Sequence, residues 1–274
     1  MADDCPVFDV HTHIYPDAIG PRVSAEMAAH AGLSRSYDGT RAGLEQCLAA
    51  AGIAGALNAP VATRPTQVDS INAWAATQNR WPVLSFGSIH PDTPDIPTTL
   101  RAVVAAGLRG IKLHPEYQAF APDDPRLDQV WDTCRTLGLI VLLHAGDDFA
   151  FAPPCRASPA SLARLVARWP GLVVIAAHMG GFRLWDDVER ELAGAPLLFD
   201  TSFGVGHMPD AQFLRLVGRH GAANILFGSD APWDNPAATL AALRRLPLTA
   251  DERRAILWGN AARLLSLPPH GAAS

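Results

Sequence analysis

Short apolar runs recur along this chain, and between them apolar residues return every three or four positions. Runs of four to seven residues rich in Val, Ile, Leu and Phe, closed by Gly, Pro, Asp or His, are the pattern of buried parallel strands. They predict strands over residues 7–10, 55–60, 83–89, 110–114, 139–144, 173–178, 197–200 and 225–229. The three-and-four spacing predicts helices over 42–51, 69–81, 98–106, 126–137, 159–169, 184–192 and 210–220, then 237–246 and 250–265 after the last strand. Ser158-Pro159 and Thr249-Ala-Asp-Glu252 supply helix-start signals, and Gly107, Gly138 and Gly221 stand where left-handed helix ends are expected. Eight strands, each followed by a helix, predict a single α/β domain over 1–267, a (β/α)8 TIM barrel, with a disordered tail over 268–274. The rival, an open doubly wound sheet, needs a glycine-rich loop after its first strand, and His11-Thr12-His13 stands there instead. The longest irregular stretch, 14–43, is a candidate lid at the rim.

Five of these runs end in a residue that can bind a metal. VFDV leads to His11 and His13, GIKL to His114, IVLL to His144, VVIAA to His178, and ILFGS to Asp230. Parallel strands share one C-terminal rim, so these side chains would collect in one cleft. Residues two apart on a strand point the same way, so His11 and His13 can reach one ion, with His144 and Asp230 able to complete the site. Lys112 and His114 likewise face one side.

Composition narrows the classes. Of 274 residues, 49% are hydrophobic and 18% charged, which fits a globular chain. A net charge of −5 gives no reason to expect nucleic-acid or anionic-membrane binding. The acidic start Met-Ala-Asp-Asp-Cys lacks the pattern of a signal peptide, and no apolar run approaches the ~18 residues that span a bilayer. Cys5, Cys47, Cys134 and Cys155 form no CxxC pair and read as reduced thiols, so a cytoplasmic enzyme is expected.

The order His-x-His, Lys-x-His-Pro, His, His-Met-Gly-Gly, Gly-Ser-Asp-x-Pro, from about residue 7 to 233, resembles the amidohydrolase superfamily. It is similar in particular to the amidohydrolase 2 branch, which holds aminocarboxymuconate semialdehyde decarboxylase-like enzymes, resorcylate-type decarboxylases and metal-free pyrone dicarboxylate lactonases. The resemblance implies a (β/α)8 barrel in which His11, His13, His144 and Asp230 ligate a divalent metal. Zn2+ is the first expectation, with Mn2+, Fe2+ or Co2+ open, as one ion or two. It implies a catalytic role or a second-metal role for His178. Lys112 is either a carboxylated bridge between two metals or a cation for a substrate carboxylate, and His114 touches either metal or substrate.

Metal-activated water would attack a carbonyl, with Asp230 as general base and then acid, and His178 polarising the carbonyl. For substrate binding, Arg183 is a candidate carboxylate clamp and Trp233 a flat apolar wall, while Tyr117, Phe120, Asp147 and His207 are further rim residues with loop packing as the plainer reading. The expected function is hydrolysis of a small amide, lactone or ester. The alternative is non-oxidative decarboxylation of an aromatic or enol-type acid, and a non-catalytic binding protein is disfavoured by the retained histidine set. The expected partner is a small molecule, with a homodimer possible because relatives often pair.

Overall fold

The computed structural model describes residues 5–267, so the tail expected at 268–274 lies outside the described residues. Among the described residues there are nine short strands: β1 (Phe8–Thr12), β2 (Gly55–Asn58), β3 (Val83–Ser85), β4 (Gly87–Ser88), β5 (Gly110–Leu113), β6 (Ile140–Leu143), β7 (Val174–Ala176), β8 (Leu198–Asp200) and β9 (Ile225–Leu226). All neighbours pair in parallel, in the orders β1-β2-β3 and β4 through β9. The single strand expected over 83–89 is broken at Phe86, so its first half pairs with β2 and its second with β5.

Backbone hydrogen bonds carry the connection across both seams. Phe86 N donates to Asn58 O (3.0 Å) at one. At the other, Val10 N donates to Phe227 O (2.9 Å), Asp230 N to His11 O (2.8 Å) and His13 N to Ala231 O (2.7 Å). The architecture is the TIM barrel that the strand count predicted.

Strand alternation divides the core in two. Val141 and Leu143 of β6 belong to the layer between strands and helices, while Ile140 and Leu142 join Phe8, Val10, Leu57 and Ile175 in the other cluster. On β5, Ile111 and Leu113 point to the helix layer, which turns the intervening Lys112 the opposite way, toward the barrel interior.

The helices are α1 (Gly20–Ala31), α2 (Arg41–Ala51), α3 (Val68–Gln78), α4 (Ile96–Ala105), α5 (Asp128–Leu137), α6 (Pro159–Arg168), α7 (Trp185–Glu191), α8 (Asp210–His220), α9 (Pro236–Arg245), α10 (Ala250–Arg254) and α11 (Asn260–Leu265). Three expectations need correction. The stretch 14–43 is not irregular: it contains α1, with Pro21 in its first turn and a left-handed Gly32 (φ 67°) at its end. The helix expected over 250–265 is divided by a π turn at Ala255–Gly259, where Ile256 O accepts from Phe227 N (2.9 Å) and ties the turn to the end of β9. Gly221 has a positive φ, but its ψ of 127° takes it out of the left-handed helical region. Ser158 and Thr249 cap their helices as expected, accepting from Ser161 N and Glu252 N.

One buried histidine couples this fold to pH. His220 closes α8, stacks on Phe199 (centroids 3.8 Å apart), donates from Nε2 to Leu197 O (3.0 Å) and accepts at Nδ1 from Gly194 N (3.1 Å). Both ring nitrogens are satisfied only by the neutral form, and burial pushes its pKa down to about 4. The unfolded chain takes up this proton near pH 6.5, so the stabilisation is complete above about 6.5 and is lost as pH falls toward 4. The difference in unfolding free energy between wild type and His220→Asn is expected to shrink by on the order of 2 kcal/mol between pH 7 and 4.5. Urea titrations at the two pH values check this, and a constant difference would remove His220 as the titrating group.

Candidate metal centre and active site

The β1 end and the β9 loop are joined by a buried carboxylate. Asp9, fully buried, accepts from His11 N (3.0 Å), Ser229 N (3.0 Å) and Ser229 Oγ (2.5 Å). Burial, more than any neighbour, raises its pKa to about 7. One residue beyond Ser229, Asp230 adopts φ 66°. That region costs a non-glycine residue roughly 1 kcal/mol, and it turns the Asp230 carboxylate back over β1. Its Oδ1 lies 2.9 Å from His13 Nε2 and 3.4 Å from His11 Nε2, and its Oδ2 lies 4.0 Å from His178 Nε2.

A second buried carboxylate fixes the imidazoles. Asp200 Oδ2 lies 2.9 Å from His11 Nδ1, while Oδ1 accepts from His178 N (3.1 Å), Ser202 N (3.0 Å) and the Ser202 hydroxyl. Burial alone would raise its pKa, but His11, His178 and the Ser202 hydroxyl bring it down to about 2. A carboxylate on Nδ1 holds the proton there and leaves the Nε2 lone pair for a ligand. His11 itself is pushed down to about 4, first by burial and then by Lys112, so it is neutral at physiological pH.

Lys112 Nζ lies 2.9 Å from His11 Nε2, and burial brings its pKa down to about 8. His144 Nε2 donates to Asp147 O (3.1 Å), which leaves its Nδ1 facing His178 Nε2 at 3.0 Å. Burial holds the His144 pKa well below 6.5. His114 stacks on His144 (4.1 Å between centroids) with Nε2 3.3 Å from Asp148 Oδ2, and its buried Nδ1 has no hydrogen-bond partner.

The predicted residues thus fall into adjoining groups. Donor atoms of His11, His13 and Asp230 lie within 4.8 Å of one another, as do those of His11, His178 and Asp200, and those of His114, His144 and Asp148. His144 meets His178 through Nδ1 and Nε2 at 3.0 Å and groups with His114 and Asp148. Trp233, Tyr117 and Asp147 line the cavity over these groups. Arg183 does not line it: its guanidinium lies over the rings of Phe149 (4.9 Å) and Phe182 (4.8 Å). Phe120 is core, and His207 pairs with Asp234 at 2.7 Å.

Reading the sequence missed Asp9, Asp200, Ser202 and Asp148. Asp200 had a signal, since it closes the strand predicted over 197–200 just as Asp230 follows the last one. Asp9 had none, because it lies inside an apolar run.

The donor set suits a divalent cation. Ligand atoms about 2.0–2.1 Å from one ion are spaced roughly 3.0–3.4 Å apart, and the Asp230 oxygen meets its two imidazole nitrogens at 2.9 and 3.4 Å. The His11 imidazole is neutral and the Asp230 carboxylate is ionised, as ligation requires.

A parallel barrel whose rim gathers histidines and carboxylates in this way belongs to the class of metal-dependent barrel enzymes. Residues 8–267 match the profile of the Amidohydrolase family, and the chain belongs to that family. No curated protein sequence matches it significantly. Among solved structures, an uncharacterized TIM-barrel protein from Bordetella bronchiseptica superposes with a TM-score of 0.76 at 19% identity, over 95% of this chain and 98% of that one. A 5-carboxyvanillate decarboxylase from Novosphingobium aromaticivorans, complexed with manganese and 4-hydroxy-3-methoxy-5-nitrobenzoic acid, gives 0.70 at 13% identity, over 97% of each chain. A protein provisionally named 2-pyrone-4,6-dicarboxylic acid hydrolase, from Pseudomonas putida, gives 0.66 at 16% identity, over 96% and 98%. At these identities the likeness is one of fold.

Elemental analysis of the purified protein is expected to find a divalent cation. Asp200→Asn, which removes the charge behind His11, is expected to weaken metal affinity by roughly 10- to 100-fold. Competition with a chelator measures this, and unchanged affinity would show that Asp200 does not tune the site.

Proposed function

We propose that this amidohydrolase-family protein is a metal-dependent hydrolase of a small amide, lactone or ester. The observation that carries the reading is the position of the Asp230 carboxylate, between the His11–His13 pair on one oxygen and His178 on the other. His11, His13 and Asp230 would hold the cation. When bound, it supplies Lewis acidity and makes water acidic enough to act as a nucleophile near neutral pH. Two imidazoles and a carboxylate suit zinc, and manganese in a decarboxylase of the same fold supports manganese as the next candidate.

The remaining chemistry belongs to the chain. Burial would raise the Asp230 pKa, but His11, His13 and His178 hold it well below the ordinary carboxylate range, so it is ionised at neutral pH. It takes the proton of the attacking water and returns it to the leaving group. His178, whose Nε2 lies 4.0 Å from Asp230 Oδ2, orients the substrate carbonyl or stabilises charge developing on it. The alternative, a decarboxylase, is supported by Lys112, the single lysine or arginine among the described residues that line the cavity, as a partner for a substrate carboxylate.

Asp230→Asn is expected to keep the native circular dichroism spectrum and lose at least about 10²-fold in turnover under saturating metal. The assay uses a panel of lactones, aryl esters, amides and aromatic acids, with trapping of carbon dioxide. Near-normal turnover in the variant would remove Asp230 from proton transfer. Carbon dioxide release by the wild type would replace the hydrolase reading with the decarboxylase one.

A further inference from the structure

The cavity above the rim is much larger than a carbonyl group requires. It measures about 670 Å³, more than four times the roughly 150 Å³ that encloses one benzene ring. Its charged groups are confined to the barrel end, and beyond them the polar lining comes from uncharged side chains such as Thr63, Gln67 and Ser70. The far lobe is walled by α1 on one side and by Ile71 and Trp74 of α3 on the other.

The side that α1 turns to this lobe is made of Ile19, Val23, Met27 and Ala31, a spacing of four that lines up one stripe. The adjacent face, about 100° round the helix at Gly20, Ser24 and Ala28, is the buried one. Val23, Met27, Ile71 and Trp74 all remain partly exposed. A surface helix normally spends its apolar stripe on the core, whereas this one spends it on a cavity.

The helix is tied in place. Ser24 Oγ donates to Asp38 O (2.9 Å) and Arg35 Nη1 to Pro21 O (2.8 Å), while Ser36 N donates to Pro232 O (2.8 Å) beside the Asp230 turn. The lobe is therefore continuous with the site and built on the same frame.

Charge limits what fits. Asp147, Asp148 and Asp230 line the cavity, Lys112 is the one lysine or arginine among its described lining residues, and Arg183 lies outside it. A second substrate carboxylate in the far lobe would meet uncharged side chains, with no guanidinium or ammonium to neutralise it.

We infer that the substrate carries an uncharged apolar arm, an alkyl or arylalkyl group that occupies the lobe between α1 and α3 while the reacting carbonyl faces Asp230 and His178. This rests on the proposed hydrolase reading for the reacting end only. The same lining disfavours polycarboxylic acids, because it offers a second carboxylate no cation beyond Lys112.

Linear monocarboxylates from propionate to decanoate, titrated calorimetrically into metal-loaded protein, test the arm directly. Affinity is expected to rise roughly three- to fourfold per methylene until the lobe is full. The dicarboxylate of equal length is expected to bind more weakly than the longest monoacid by at least tenfold. Val23→Asp, at a partly exposed position, is expected to cut the gain per methylene below twofold, and Met27→Gln to reduce it less. Melting curves confirm that each variant is folded. A flat series in the wild type, a diacid that binds as well as its monoacid, or an unchanged gain in Val23→Asp would overturn the proposal. Binding is the readout, so a graded series without turnover sinks the hydrolase reading alone. Turnover of short esters with a flat series sinks only the apolar arm.

Discussion

A carboxylate with no exposure to water, Asp200, is the constraint around which the rim is organised. Leaving such a group unpaired in the interior would cost several kcal/mol. It is instead given His11 Nδ1 on one oxygen and two backbone amides with a hydroxyl on the other. Satisfying it joins the end of β8 to β1 and to the turn after β7, so three separate runs of sequence must meet correctly before the charge is neutralised. Asp9 does the same between β1 and the β9 loop. Barrel closure and site geometry are thus one event. The bonds that seal the β1–β9 seam also orient His11 and Asp230.

The seam explains why strain is tolerated there. Asp230 at φ 66°, His178 at 60° and Met179 at 54° all adopt left-handed backbone that favours glycine. Each stands just past a strand end, where the chain must reverse to aim a side chain over the barrel mouth. The neighbouring turn is equally constrained. Gly146 has φ 86°, and a Cβ there would sit 2.2 Å from Phe182 N. That close approach lets Phe182 N donate to Ala145 O and Asp147 N to Phe182 O, zipping the loop after His144 to the loop after His178. The two histidines keep their 3.0 Å contact because their loops are stitched together outside the site.

Much of this was legible in the sequence because strand ends are punctuated. An apolar run followed by His or by Ser-Asp states both where a strand stops and what it presents, which is enough to predict the barrel and to place His11, His13, His144, His178 and Asp230 on one rim. What the sequence did not carry is which donor atoms meet. His144 looks equivalent to His11 on paper, yet Asp147 O fixes its Nε2 proton and turns its lone pair to His178. Arg183 reads as a rim cation, yet φ 63° sends it onto two phenylalanine rings. Asp9 is hidden because an acid within VFDV breaks no pattern that periodicity can see. α1 is hidden because its stripe is only one residue wide and serves a cavity, so the broad apolar face that marks a core-packed helix is missing.

That narrow stripe connects shape to reactivity. Coulombic interactions between Asp230, the histidines and a cation are attenuated by water and strengthened where water is excluded. The rim side chains are buried from below by the barrel core, and the lobe under α1 opens onto them from above. Polar walls there would keep the lobe hydrated whether or not substrate was bound. Walls dominated by Ile19, Val23, Met27, Ile71 and Trp74, with Thr63, Gln67 and Ser70 between them, instead favour an apolar arm over water. Filling the lobe would then complete the desolvation of the reacting end, so binding energy from the non-reacting part of the substrate would be felt at the carbonyl. The placement of an amphipathic helix over the cavity, with Ser24 and Ala28 turned to the protein and the stripe turned to the void, follows from that division of labour.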